Sequence, residues 1–225
     1  MTLTHSNTQS NTYGNTHINK IFIIGLPRTA TTSVCLAMLN LGYRTAHTAY
    51  TQYTMDEAQV IADTPVFSDY QQLDEQYPKS KFIYLDRDLS LWTPSIQQLL
   101  TRMYRNLTRD DGGFNPRLKR CYKQIFTPLT LENIQQTAFL HDCYQRHQAA
   151  LKAYFQHRSD DLLSIDISHG DSYARLLQFL QIDSGENTQK GFERINMKGK
   201  VTAWNKIRHP LKVESTFAGR IEPLA

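Results

Sequence analysis

Residues 21–45 read IFIIGLPRTATTSVCLAMLNLGYRT. The first four, Ile21 to Ile24, form a continuous apolar run, as a strand does when both faces of its sheet are covered. Gly25-Leu26-Pro27-Arg28-Thr29-Ala30-Thr31-Thr32 is too polar and too broken to continue that strand. From Thr31 to Leu41, the apolar residues Val34, Leu36, Ala37, Met38, Leu39 and Leu41 fit a helix laid against a sheet, and Gly42 stops it. Strand, tight loop and helix present unpaired N–H groups and a positive dipole end to an anion. Thr31, Thr32 and Ser33 place hydroxyls in the first helical turn, and Arg28 adds a planar donor fork suited to phosphate or sulfate. Pro27 to Ser33 read as a phosphate cradle.

The stretch departs from the G-x-x-x-x-G-K-[ST] loop of nucleotide triphosphatases, because Gly25 and the four residues after it lead to Ala30-Thr31-Thr32, so that the second glycine and the lysine are missing. It resembles instead the 5′-phosphosulfate loop of sulfotransferases, P-[KR]-[ST]-G-T-T, which stands here as Pro27-Arg28-Thr29-Ala30-Thr31-Thr32. Ala30 replaces the family's glycine. If that position needs a positive φ, alanine costs about 1 kcal/mol.

A second stretch, Lys81 to Ser95 (KFIYLDRDLSLWTPS), carries an apolar strand ending in Asp86-Arg87-Asp88. An arginine at a strand end and a hydroxyl on the next helix can grip one phosphate from two sides. Arg87 and Ser95 have the spacing with which sulfotransferases hold the 3′-phosphate of their donor, 3′-phosphoadenosine-5′-phosphosulfate (PAPS). Leu41-Gly42-Tyr43, Asp63-Thr64-Pro65, Tyr144-x-x-His147 and Leu176-x-x-Phe179-Leu180 are similar to the small bacterial type, in family order. Met197-Lys198-Gly199 and Trp204 resemble the R-K-G…W segment that closes over the 3′-phosphate, with Met197 in place of the arginine. The resemblance covers roughly residues 20–196. It implies a PAPS-dependent transferase with Pro27, Arg28, Thr29, Ala30, Thr31, Thr32, Ser33, Arg87, Ser95, Lys198 and Gly199 around the donor.

In-line sulfuryl transfer builds charge on the bridging oxygen, which Arg28 and the helix N-terminus are placed to neutralise. The acceptor must lose a proton. Asp63, between the two donor motifs, is the first candidate base and His47 the second. No metal cluster is visible, and none is needed where positive side chains serve.

A chain of 225 residues, 40% hydrophobic and 20% charged, is long enough for a full core, and reads as a flexible polar tail (1–19) followed by a single domain (20–225). Its net charge of +4 is mild and suits an anionic small ligand better than it argues for nucleic acid, and the expected partner is a small-molecule or glycan acceptor, with no nucleic acid. Three cysteines without metal-like spacing, no membrane-length apolar run and no signal-peptide core point to a cytoplasmic protein without a membrane partner.

The alternation of signals predicts an α/β, three-layer, P-loop-like fold with a short parallel sheet flanked by helices. Strands are expected near 20–24, 43–47, 82–86 and 161–167. Helices are expected over 31–41, 56–62, 68–76, 92–106 (with Pro94 in the first turn), 131–157 and 172–180, the last capped by Ser168 or Asp171. Leu140, Tyr144, Ala150, Leu151, Tyr154 and Phe155 are the expected buried face of the longest helix. Residues 107–130, rich in turn signals, read as an irregular excursion. The basic residues from Arg102 to Lys123 read as a solvated surface or a face for an anionic substrate. Two other readings fit the same residues: a kinase- or ATPase-like protein using Asp86 to hold magnesium, and a catalytically silent relic of the fold.

Overall fold

The structure, a computed structural model, describes residues 20–183, 191–192, 196–197, 200–201 and 204–216. The tail at 1–19 and the pair Lys198-Gly199 lie outside the described residues. In chain order the elements are β1 (Ile21–Ile23), α1 (Thr31–Asn40), β2 (Thr45–Ala46), α2 (Gln52–Glu57), β3 (Val60–Ala62), α3 (Val66–Gln76), β4 (Lys81–Leu85), α4 (Leu89–Thr108), α5 (Pro116–Ile125), α6 (Leu131–Gln135), α7 (Thr137–Phe155), β5 (Leu162–Ile165) and α8 (Ser172–Phe179).

Five strands form the central sheet in the order β2-β3-β1-β4-β5, all parallel, and Asn196–Met197 pairs with Lys200–Val201 in a separate antiparallel ribbon. Ile21 sits opposite Val60 on one side and Lys81 on the other, and Leu85 opposite Ile165. Every residue of β1 is apolar because both faces are covered. Ile21 and Ile23 join Val34 and Met38 of α1 and Leu176 of α8 in one layer. Phe22 and Ile24 join Leu73 of α3 and Leu151 and Phe155 of α7 in the other. A third apolar cluster, with Trp92, Ile96, Leu100, Tyr122 and Leu140, binds α4, α5, α6 and α7 into a helical block. Residues 211–213 fasten to the free edge of β2, with Thr45 N–H donating to the Leu211 carbonyl (3.0 Å) and Val213 N–H to the Thr45 carbonyl (2.9 Å).

The expected fold class is what forms; several element expectations are corrected. Val60–Ala62 is a strand, not the end of a helix, because β1 and β2 both hydrogen-bond to it and bury it completely; the helix before it ends at Glu57. Residues 116–125 are a helix, started by Asn115, whose side chain accepts from Arg117 N–H, with Pro116 in the first turn. The long helical stretch from 131 breaks at Gln136 into α6 and α7. Ala150 is exposed, and Cys143 and His147 are buried on α7 instead. Helix α4 begins three residues earlier than expected, at Leu89, capped by Asp88, so Pro94 lies in its second turn. Neither Ser168 nor Asp171 caps α8 through its side chain.

Candidate functional site

Five parallel strands turn their carboxyl ends to one edge, where ligands of open α/β sheets bind. Each end delivers chemistry to the same place. The loop after β1 brings Pro27 to Ser33, β2 leads to His47, and β3 to Asp63. From β4 come Asp86, Arg87 and Asp88, and from β5 come Asp166 to Ser168. All of these line one cavity of about 560 Å³.

The loop is shaped by close approach. A Cβ on Gly25 would lie 2.5 Å from Thr29 Oγ1 and 2.7 Å from Leu85 Cβ, so no side chain fits there. The Thr29 hydroxyl donates to the Leu26 carbonyl (2.7 Å), which spends its proton inside the loop. Two successive carbonyls are held from outside. Trp92 Nε1–H of α4 donates to Pro27 O (3.0 Å), and Arg87 Nη1–H donates to Arg28 O. Arg28 and Ala30 both take positive φ, 74° and 72°, and Asp63 a third at 52°. Backbone strain therefore gathers at the cavity. Ala30 is indeed left-handed, where its lack of glycine freedom costs about 1 kcal/mol. Helix α1 begins here with no side-chain cap and no acidic residue in its first turn, leaving its N-terminal dipole for a ligand.

Two guanidinium groups share the mouth. Arg28 Nε–H donates to Ser95 Oγ (2.8 Å), and no other donor of that side chain has a partner among the described residues. Neither Arg28 nor Arg87 forms an ion pair among the described residues. Burial lowers the pKa of both, and for Arg28 the charges of Arg87 and Arg102 lower it further. For Arg87, the charge of Asp166 acts in the opposite direction. The backbone N–H of Arg87 is fixed by Asp86 Oδ1 (3.0 Å) and by the Tyr144 hydroxyl (2.8 Å), which in turn donates to Asp86 Oδ1 (2.6 Å). Gln148 reaches Asp86 Oδ2 at 3.4 Å. Asp86 is thus occupied in orienting Arg87.

His47 Nε2 lies 3.0 Å from Thr31 Oγ1 and 3.1 Å from Thr32 Oγ1. Burial lowers its pKa, with the Asp63 charge opposing. Asp63 accepts from the Thr64 hydroxyl (3.2 Å) and has no ion pair among the described residues.

The sulfotransferase domain matches this chain over residues 20–55 and 48–201. The chain belongs to that family. No curated protein shows a significant match to it.

Of the candidate residues read from the sequence, Pro27 to Ser33, His47, Asp63 and Arg87 line the cavity. Ser95 reaches it through Arg28. Other lining residues carried no motif: Leu91 and Leu99 of α4, Tyr122 of α5, and Ile167 and Phe192. Tyr122 was hidden by the misreading of α5, although Asn115-Pro116 is a helix-start signal. The basic run is largely consumed within the protein. Arg109 pairs with Asp111, Arg120 with Asp69, Lys119 donates to the Arg109 and Gly112 carbonyls, and Arg117 reaches the Ala49 carbonyl. Among the described residues, no helix is long and apolar enough to cross a membrane.

Proposed function

We propose that this cavity binds PAPS and that the protein transfers its sulfuryl group to a hydroxyl or amine of a small-molecule or glycan acceptor, anionic ones included. One observation carries the reading: Arg28 and Arg87 converge on an uncapped helix N-terminus without an ion pair among the described residues. A polyanionic nucleotide fits such a set, since it supplies the charge that the two guanidiniums lack. Arg87, with Ser95, faces the 3′-phosphate, and the loop faces the phosphosulfate. Bound PAPS supplies the activated sulfuryl group; its S–O bond to phosphate breaks as the bond to the acceptor oxygen or nitrogen forms. Arg28 neutralises the charge left on the bridging oxygen. Asp63 takes the acceptor proton on a carboxylate oxygen, with His47 the second candidate. The three thiols, all buried and unpaired, favour the cytoplasm.

Calorimetry tests the donor site. Adenosine 3′,5′-bisphosphate binds without magnesium, and Arg87→Ala weakens it at least tenfold more than it weakens adenosine 5′-monophosphate, since a hydrogen bond to a charged group contributes about 1.5–3 kcal/mol. Equal losses for both nucleotides, or binding of ATP only with magnesium, reject the assignment. Asp63→Asn tests the base: kcat with an alcohol acceptor falls by about 10²–10⁴ while donor affinity stays. Near-normal turnover passes the role to His47.

A further inference from the structure

The segment 204–216 lies beyond both donor motifs in the chain, yet it returns to the β2 edge beside His47. It is sewn to the edge of the sheet at several points. Besides the Thr45 pairing, Tyr50 N–H donates to the Ser215 carbonyl (3.0 Å), the Thr54 hydroxyl to the Glu214 carbonyl (2.8 Å), and Thr48 Oγ1 lies 2.5 Å from Ser215 Oγ. At its start, the Trp204 ring stacks on His47, with centroids 5.6 Å apart and planes 30° from parallel. The Lys212 ammonium lies 5.4 Å from the Trp204 centroid, an arrangement of the cation–π type. The indole N–H is buried and has no hydrogen-bond partner among the described residues. Trp204 is therefore placed by its ring faces, not by its polar atom.

We infer that Trp204 is a positioning residue, which sets the imidazole of His47 against the hydroxyls of Thr31 and Thr32, and that residues 204–216 are the strap that carries it. The His47 ring is gripped on two sides of its chemistry. Its Nε2 meets two hydroxyls of the first turn of α1, and its π-face meets the indole. Two charges act on this pair, Asp63 from the end of β3 and Lys212 from the strap itself, the latter paired with Glu214 (3.3 Å). Without the indole the imidazole has a free rotamer and a wetter face, and the Thr31 and Thr32 hydroxyls lose the partner that orders them.

The kinetic half of the test rests on the transfer reading proposed above; the spectroscopic half does not. Full-length protein labelled on histidine nitrogen is compared as wild type, Trp204→Phe, Trp204→Leu and His47→Ala, the last assigning the His47 signals by their loss. Ring current from the indole shifts the His47 ring protons in the wild type; Trp204→Phe keeps part of that shift and Trp204→Leu abolishes it. In sulfuryl transfer, Trp204→Leu lowers kcat roughly tenfold to a hundredfold, the cost of a misplaced group, and Trp204→Phe much less. In the His47→Ala background, Trp204→Leu changes kcat by no more than about twofold, because the two act as one unit. His47 signals that are the same in wild type and Trp204→Leu overturn the inference, as do effects of the two substitutions that simply multiply. If the wild type transfers no sulfuryl group, the transfer reading falls and the His47 spectra alone decide the positioning contact.

Discussion

Lys20 and Arg28 flank the same short strand, one at each end, and both are cations drawn out of water. Burial is the leading cause of a lowered pKa in each, so a shifted pKa does not distinguish them. Hydrogen-bond accounting does. The Lys20 ammonium donates to three carbonyls, those of Met55, Asp56 and Ala58, at 2.5–3.1 Å. These are the orphan acceptors at the end of α2, so all three of its protons are used and the strand is tied to that helix. Arg28 gives one N–H to Ser95 and keeps the rest of its fork unpartnered among the described residues. The amino end of β1 is finished, whereas the carboxyl end keeps open donors at the cavity. Two histidines repeat the contrast. His147 donates Nε2–H to the Phe67 carbonyl (2.8 Å) inside the core, whereas His47 faces hydroxyls at the cavity.

Exchanging the fates of the two cations is the strongest way to break this comparison. Arg28→Ala lowers kcat by about 10²–10³, as removal of one oxyanion donor does, and leaves stability nearly unchanged. Lys20→Met does the reverse. It strands buried carbonyls that cost about 1–3 kcal/mol each, so denaturant unfolding shows a loss of a few kcal/mol, while affinity for adenosine 3′,5′-bisphosphate is kept. A Lys20→Met protein that stays stable but no longer binds nucleotide refutes the division of labour.

The carboxyl end of β1 was the more legible of the two in sequence. Ile21 to Ile24, Gly25, and the Pro27 to Ser33 run announce a strand, a bend and an anion loop through local chemistry. Lys20 announced nothing, because its three partners lie 35 to 38 residues away. Val60–Ala62 misled for a similar reason: the residues before it favour a helix, and only its two strand neighbours make it a strand. The grip of Trp92 on the Pro27 carbonyl and the stacking of Trp204 on His47 span 65 and 157 residues (92 − 27 and 204 − 47). Neither has a spacing to read. The start of α5 is the different case, since Asn115 and Pro116 did carry the signal and the neighbouring Gly112-Gly113 drowned it.

The histidine contrast sharpens through pH. Burial pulls His147 down to about 4, with its bond to the Phe67 carbonyl opposing, and its Nδ1 is buried without a partner among the described residues. The unfolded chain takes up a proton on this residue near pH 6.5, while the folded ring resists until about 4. Between those values the unfolded state binds more protons. Stability is therefore full above about 6.5, and falls as the pH drops toward 4 by up to about 3 kcal/mol from this group alone. His147→Gln keeps a donor for the Phe67 carbonyl and removes the titration, so its stability falls less across that window in parallel urea titrations. Identical slopes for the two proteins show that His147 is not held neutral by the core.

The smallest effect concerns the strain that marks the cavity end of β1. Ala30 stands at φ 72°, ψ 30°, where a side chain crowds its own backbone. Replacing it with glycine relieves about 1–2 kcal/mol of that crowding and returns about 0.4–1 kcal/mol through the freer unfolded chain. The net gain for Ala30→Gly is about 0.5–1 kcal/mol, a rise in Tm of roughly 1–4 °C for a chain of this size. Arg28, at φ 74°, offers the matching control. Arg28→Gly is more stable than Arg28→Ala by a similar margin, and neither regains turnover, since both lack the guanidinium. Lys20 lies outside the strained set, so Lys20→Gly brings no such relief and falls below Lys20→Met. If Ala30→Gly is instead less stable than the wild type, the loop does not hold its left-handed turn in solution. The cavity end of β1 then owes its character to charge alone.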